Sequence, residues 1–306
     1  MNWLKKTFQF REKIKKLLKK RPTKEEIESS DWASCCKGPI LKKELEDNLF
    51  VCPSCNKHHR INCRQRFDII FGKNNYEVLE TPRPQDDPLQ FPDYKDKLKN
   101  ARKKTGMDCG IMVIKTKINN INITACASDF AFIGGSIGAA EGEAILYGIQ
   151  HAIENQQPFI NFTSGGGARM MENLIALSQL TRTTLAINEL KKNNLPYLVV
   201  LCDPTAGGIT ASYAMIGDLH FAEPGALVAF AGSRVIQGTV KEELPENFQK
   251  SEYVQKTGFI DLIVERKDLK EKISSILSIL LKKNPDIISS SDETSEDNRT
   301  LTKAAS

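Results

Sequence analysis

The sequence predicts an α/β layered core that carries a small cysteine-bearing module at its amino end. Three observations predict it. Short apolar runs alternate with helical patterns from Lys95 to about Asp286, as in strands buried beneath helices. Two of those runs stop at consecutive glycines just before a helical pattern, at Gly165–Gly167 and Gly207–Gly208. Upstream, Cys52-x-x-Cys55 has the spacing of a metal knuckle, with Cys35 and Cys36 ahead of it.

The bulk properties fit this division. A chain of 306 residues has room for one large domain and a small one. The 40% hydrophobic content is ordinary for a globular protein, and no run approaches the roughly 18 apolar residues of a membrane span. The net charge is +5, but nine Lys or Arg and a single Glu lie between Met1 and Arg21. The remainder is near neutral, which gives little support to a global nucleic-acid role. No apolar h-region precedes the eight cysteines, so the expected setting is the reducing cytoplasm, where paired cysteines read as metal ligands.

Taken in order, residues 1–28 form a basic arm and residues 29–66 a zinc-ribbon-like module. Residues 67–94 form a connector with Pro82, Pro84, Pro88 and Pro92, a spacing that blocks helix. Residues 95–285 form the main domain and residues 286–306 an acidic, Ser-rich tail that reads as disordered. In the main domain, Gly110–Lys117 and Ile121–Ala127 read as a hairpin around Asn119-Asn120. Gly138–Asn155 reads as a helix and Pro158–Thr163 as a strand. Arg169–Lys192 reads as a long helix with Met170, Leu174, Leu177 and Leu180 on its apolar face. Tyr197–Cys202 is a buried strand and a helix is expected from Ile209. Short strands follow at Leu219–Ala222, Leu227–Ala231 and Ile260–Val264, and Lys267–Lys282 closes as a helix.

The two glycine turns carry the chemistry. A glycine lets backbone approach a ligand closely. The first N–H groups of a helix point outward without internal partners and carry partial positive charge. Gly166, Gly167, Gly207 and Gly208 are therefore candidates for holding an anion or a developing oxyanion. "GGSIG", with Gly134 and Gly135, is a third glycine turn that could admit another chain segment or a thioester. A dinucleotide fingerprint is absent because the position three after Gly167 is Met170, and no GxxxxGK[ST] occurs. Ser164 sits outside any G-x-S-x-G elbow. His151 and His220 fall within a helix and a strand. The pattern is one of backbone donors with the base supplied from elsewhere.

The strings "ELEDNLFVCPSC", "DFAFIGGSIGAAEGE", "SGGGARMMENLIALSQL", "LPYLVVLCDPTAGGITASYAMIGDLHFAEPGALVAFAGSRVIQGTV" and "LPENFQKSEYVQKTGFIDLIV" together resemble the β subunits of bacterial acetyl-coenzyme A carboxylase carboxyltransferases. The resemblance implies a crotonase-like fold of ββα units behind an N-terminal zinc ribbon. It implies transfer of a carboxyl group from carboxybiotin to acetyl-CoA, giving malonyl-CoA for fatty acid synthesis. It implies an α subunit in an α2β2 assembly, a biotin carboxyl carrier protein bearing the biotin in trans, and biotin carboxylase. By the match, Gly166 and Gly167 are the oxyanion pair, Gly207 and Gly208 the second candidates, and Gly134 and Gly135 shape the acyl-CoA cleft.

The family ribbon has the form C-x2-C-x15-C-x2-C. Cys36 keeps the fifteen-residue gap to Cys52, but Ala33 stands three before Cys36, so the first knuckle is shortened. Adjacent side chains on extended backbone point to opposite sides. Zinc could be held by Cys36, Cys52, Cys55 and a distorted Cys35, could recruit His58 or His59, or could be lost. Two other readings stay open. A crotonase-type hydratase, a decarboxylase or another acyl-CoA carboxyltransferase half could use the same turns; a hydratase needs a carboxylate nearby, and Asp203, the only near candidate, reads better as part of the turn. The ribbon and basic arm could also bind nucleic acid.

Overall fold

Strands buried on both faces build the core of the computed structural model, which describes residues 31–35, 38–240 and 244–282. The basic arm, Cys36 and the acidic tail lie outside the described residues. The chain divides into two compact units, with the boundary between Lys57 and His58.

In the smaller unit, β1 (Trp32–Cys35) and β2 (Gly38–Leu41) form an antiparallel hairpin in which Trp32 faces Leu41 and Cys35 faces Gly38. Helix α1 (Lys42–Asp47) follows at once. The unit's core is small: Ile40, Leu45 and Cys52, with Ala33, Cys35, Phe50 and Cys55 packed against them.

The larger unit opens with α2 (Cys63–Phe71), set by a reciprocal capping box. The Asn62 side chain accepts from the Gln65 N–H at 2.8 Å, and the Gln65 side chain accepts from the Asn62 N–H at 3.0 Å. Strand β3 (Tyr76–Val78), α3 (Tyr94–Thr105), β4 (Ile111–Ile118) and β5 (Ile121–Ser128) follow. The β4–β5 turn is Asn119-Asn120, both at positive φ (43° and 63°), as a two-residue turn between twisted strands requires. Then come α4 (Ala139–Glu154), β6 (Phe159–Gly165), α5 (Asn173–Lys192), β7 (Tyr197–Ala206), β8 (Leu219–Ala222) and β9 (Val228–Ala229). Helices α6 (Ser233–Val240) and α7 (Ser251–Lys256), strand β10 (Leu262–Ile263) and helix α8 (Leu269–Leu280) complete the unit.

These strands form one sheet in the order β10-β8-β7-β6-β5-β4-β3, with β9 pairing β7. From β5 to β10 it is parallel, and β3 and β4 add antiparallel. On one face Met112, Ile114, Leu198, Val200 and Cys202 pack with α2 and α8. On the other Ile111, Val113, Tyr197, Val199 and Leu201 pack with α4 and α5. The period-two pattern thus makes a helix–sheet–helix sandwich. All three glycine turns leave the carboxyl ends of parallel strands, where ligands of such sheets bind.

Three expectations need correction. The helix expected from Ile209 is only a pair of 3₁₀ turns, Gly207–Ile209 and Tyr213–Met215. The helix expected from Arg169 begins with a 3₁₀ turn, Met170–Glu172, and breaks at Asn173 (φ 46°) before α5 starts. A helix dipole therefore does not act directly at either turn. The apolar face of α5 is also not its core face. Met170 is 83% exposed, Leu174 72% and Leu177 50%, while Ala176, Gln179, Thr183, Ile187 and Leu190 point inward. The periodicity correctly reports an amphipathic helix, but Met170, Leu174 and Leu177 face outward, and of that stripe Leu180 alone packs on the core.

Candidate active site and metal centre

The three glycine turns, far apart in sequence, touch backbone to backbone. A Cβ on Gly135 would lie 2.8 Å from Gly165 Cα and nearer still to the Ser164 carbonyl oxygen. A Cβ on Gly207 would lie 2.8 Å from the Gly166 carbonyl oxygen, and one on Gly167 would lie 3.0 Å from Gly208 N. Gly134, Gly135, Gly167 and Gly207 all have positive φ. At Gly135, Gly167 and Gly207 only glycine satisfies both the conformation and the spacing.

Hydrogen bonds sort the donors. The Gly166 N–H donates to the Gly134 carbonyl at 3.1 Å, and the Gly207 N–H to the Phe230 carbonyl at 3.1 Å. Among the described residues, the Gly167 and Gly208 N–H groups donate to no protein acceptor. The amino end of α4 is also occupied: the Gly138 N–H donates to Glu141 Oε2 at 2.9 Å and the Ala139 N–H to Glu172 Oε2 at 2.5 Å. Of the six glycines singled out by sequence, all six meet at this junction, and three of them, Gly134, Gly167 and Gly208, carry N–H groups with no protein acceptor among the described residues; Gly167 and Gly208 lie against each other.

A buried cluster that sequence reasoning missed fixes the junction. Arg169, directly after the first turn, is fully buried. Its Nη2 donates to the Ser136 carbonyl at 2.6 Å and pairs with Glu141 Oε1 at 2.8 Å. Its Nε donates to Ser136 Oγ at 3.1 Å and its Nη1 to Tyr94 Oη at 3.1 Å. Glu172 joins through Arg169 Nη1 at 3.4 Å and a short hydrogen bond from Tyr94. Burial would lower the Arg169 pKa, but Glu141 and Tyr94 raise it, so the guanidinium stays charged. Burial also pushes the Tyr94 phenol well up. The only sequence signal was an arginine placed against the glycine run.

The candidate side chains have other partners. Asp203 Oδ1 accepts from the Leu227 N–H at 2.9 Å, and Oδ2 accepts from Arg60 Nε at 3.0 Å. It is a turn residue and arginine partner, which speaks against a hydratase carboxylate. Ser164 Oγ donates to the Asp203 carbonyl at 3.4 Å. Asp129 Oδ1 accepts from the Ala131 N–H at 2.8 Å while burial pushes its carboxyl up. His151 bonds Thr124 at 2.9 Å and His220 accepts from the Gly217 N–H at 3.1 Å. Thr124 and His220 lie near the amino ends of β5 and β8, opposite the glycine turns.

In the smaller unit Cys35, Cys52 and Cys55 bring their sulfurs within 4.8 Å of one another, with Cys35 Sγ 3.4 Å from Cys55 Sγ. Tetrahedral thiolate zinc, at about 2.3 Å per Zn–S bond, needs sulfurs roughly 3.8 Å apart. The donor set fits that ion, and the distance is far beyond a disulfide. Cys35, the ligand made doubtful by spacing, is gathered into the cluster. Its neighbour Cys36 lies outside the described residues. His58 and His59 belong to the larger unit, where burial lowers the His58 pKa and keeps its ring neutral.

Residues 86–304 match the carboxyl transferase domain family, and residues 33–55 match the acetyl-CoA carboxylase zinc finger domain. The chain is 78% identical, over the full length of both, to the acetyl-coenzyme A carboxylase carboxyl transferase subunit beta of Pelagibacter ubique. It is 46% identical to the Brucella abortus protein of that name, covering 92% of this chain and 93% of the other. Among solved structures, the transcarboxylase 12S core matches with a TM-score of 0.60 at 20% identity, over 72% of this chain and 41% of that one. A Pseudomonas malonate decarboxylase heterodimer matches with a TM-score of 0.55 at 19% identity, over 72% of this chain and 86% of that one. These likenesses establish the crotonase-like fold. No helix among the described residues is long and apolar enough to cross a membrane.

Proposed function

The chain belongs to the acetyl-coenzyme A carboxylase carboxyl transferase subunit beta family, and from that membership we propose how it divides the work with its partners. It is a carboxyltransferase subunit acting within a complex. The reaction proposed is transfer of the carboxyl group of carboxybiotin, carried in trans by the carrier protein, to acetyl-CoA, giving malonyl-CoA. Biotin brings the carboxyl group and, once that group has left, the base for the acetyl methyl proton. This chain's part is electrostatic. The Gly167 and Gly208 N–H groups hold an oxygen that gains negative charge as the enolate forms. Preset by the stacked turns, they need no reorganisation during reaction. The supporting observation is the convergence of three glycine turns with those two N–H groups uncommitted.

The other half of the site comes from the α subunit. Three residues beyond Gly167 begins the outward stripe of Met170, Leu174 and Leu177. A contiguous exposed apolar patch marks an interaction surface, and this one borders the reaction site. Leu174→Glu together with Leu177→Glu should weaken α-subunit binding by about a hundredfold or more, in the range of hot-spot losses. The circular dichroism of the chain should not change, because neither side chain is in its core. Sedimentation of the mixed subunits reads the result, and unchanged association would remove the stripe from the interface. An α2β2 assembly is the expected product, with biotin carboxylase completing the complex.

The ribbon cysteines are proposed to hold one structural zinc through Cys35, Cys52 and Cys55. The metal would tie the hairpin to the knuckle in a unit whose apolar core is too small to be stable unaided. Metal analysis should find one zinc per chain. Chelation should make residues 31–57 susceptible to protease, while the larger unit keeps its fold. A zinc-free protein with a protease-resistant amino end would overturn the proposal. The transfer reaction itself is tested by malonyl-CoA formation with the cognate α subunit.

A further inference from the structure

Among the described residues, Arg60 is held differently from the other surface arginines. It lies in the larger unit just before α2, with its guanidinium 4.2 Å from the Phe130 ring centroid and its Nε donating to Asp203 Oδ2 at 3.0 Å. Asp203 is itself fixed by the Leu227 N–H on Oδ1 and by Ser164 Oγ on its carbonyl. The guanidinium is thus held from its Nε edge and stacked on one face. Among the described residues, neither Nη has a partner. Those two nitrogens form the fork that matches a carboxylate or phosphate in bidentate fashion.

Its position completes the case. Phe130 follows β5, Ser164 closes β6 and Asp203 lies within β7, so Arg60 sits over the carboxyl ends of the strands from which the glycine turns spring. A purely structural role explains little, because the Arg60 side chain is 49% exposed and ion pairs in solvent add little stability. A competing location for an anion is the 570 Å³ cavity beside β4, lined in part by Arg64, Arg83 and Arg102. There Arg83 is already paired with Asp108, and Arg102 donates to Asp86 at 2.6 and 2.7 Å.

We propose that the Arg60 Nη pair grips an anionic pair of oxygens on the acyl-CoA, either the carboxylate of the malonyl group or a phosphate of the CoA. The inference rests on the carboxyltransferase reading above and deepens it by naming a substrate-holding side chain. Asp203 and Phe130 are then positioning residues that aim the fork.

The test is calorimetric binding of acetyl-CoA, malonyl-CoA and malonyl-pantetheine to the assembled α–β complex, for the wild type, Arg60→Ala and Arg60→Lys. Losing a charge-assisted fork should weaken the affected ligands by about tenfold to a hundredfold. Lysine, a point charge, should restore only part of that. If the anion is the carboxylate, both malonyl ligands weaken and acetyl-CoA does not. If it is a phosphate, both CoA ligands weaken and malonyl-pantetheine does not. Affinities unchanged for all three, or reduced equally for all three, would overturn the proposal. Binding is read without turnover, so a wild-type complex that binds these ligands but transfers no carboxyl group would count against the reaction and leave the Arg60 result standing.

Discussion

Replacing Glu223 with alanine is expected to destabilise the larger unit by about 3–5 kcal/mol, the usual cost of breaking a buried ion pair by removing one partner. Glu223 follows β8 and is almost fully buried. Arg66 Nη1 of α2 reaches its Oε1 at 2.9 Å, and Arg266 Nε, from the loop before α8, reaches the same oxygen at 2.8 Å. Arg66 is also buried, so losing the carboxylate strands two cations away from water. The triad ties α2 and the loop before α8 to the end of β8, and Arg266 Nη2 extends the network to the His59 carbonyl at 3.0 Å. Replacing all three residues with apolar side chains of similar volume should cost much less than the single change. Urea unfolding midpoints check both statements, and a Glu223→Ala loss below 1 kcal/mol would contradict them.

The same triad sets an acid limit. Burial alone would raise the Glu223 carboxyl, but Arg66 and Arg266 overcome that and hold it well below the ordinary glutamate range. A depressed folded-state value means the stabilisation is complete above the unfolded value, about 4.3. It is lost as pH falls below that point toward the folded value. Wild-type stability should therefore decline through this acid window, and Glu223→Gln should lack that part of the decline while being less stable at neutral pH.

The second large effect is at Gly135. Alanine there must adopt φ near +62° and place a Cβ against the Ser164 carbonyl and Gly165 Cα. Left-handed strain costs about 1–2 kcal/mol, and forced overpacking adds roughly 1–3 kcal/mol. The atoms in the way are backbone of the first glycine turn, so the chain can yield only by moving the donors. Carboxyl transfer should fall far more than global stability does. Gly166→Ala is the control. Its nearest atom, the Gly134 carbonyl oxygen, would be 3.7 Å from the new Cβ, and its φ lies outside the left-handed region. It should fold normally and keep most activity, whereas Gly167→Ala, at φ +114° and 3.0 Å from Gly208 N, should lose it. Equal activity of Gly166→Ala and Gly167→Ala would show that the wrong donors have been chosen.

Much of this fold was legible in the sequence where the signal is local. Short apolar runs give β4 through β8, and the Asn119-Asn120 turn marks its hairpin. Each glycine turn was visible alone. Their stacking was not, because it is a contact between residues about thirty to forty positions apart that no periodicity encodes. The sequence pattern also singled out Gly166, yet its N–H is used internally, a fact fixed by Gly134 on another segment. Helices α2 and α3 were hidden by polar residues and by the prolines ahead of α3. The stripe on α5 was visible as a pattern, but periodicity cannot say whether an apolar face meets the chain's own core or a partner. Cys35 was undervalued because spacing describes a standard knuckle, whereas here the hairpin brings its sulfur beside Cys55. Glu223 left no local trace and Arg169 only its place beside the glycine run, since burial of a charge depends on partners brought together only by folding.

The central claim is that this chain supplies preset backbone donors for one half of a biotin-dependent carboxyl transfer. The most direct measurement is formation of malonyl-CoA from acetyl-CoA and carboxybiotin, with this chain alone, with the α subunit alone, and with both. Turnover should appear only with both, and should disappear when Gly167→Ala replaces the wild type in an assembly that still forms. Turnover by this chain alone, or none from the assembled wild-type pair, would contradict the account.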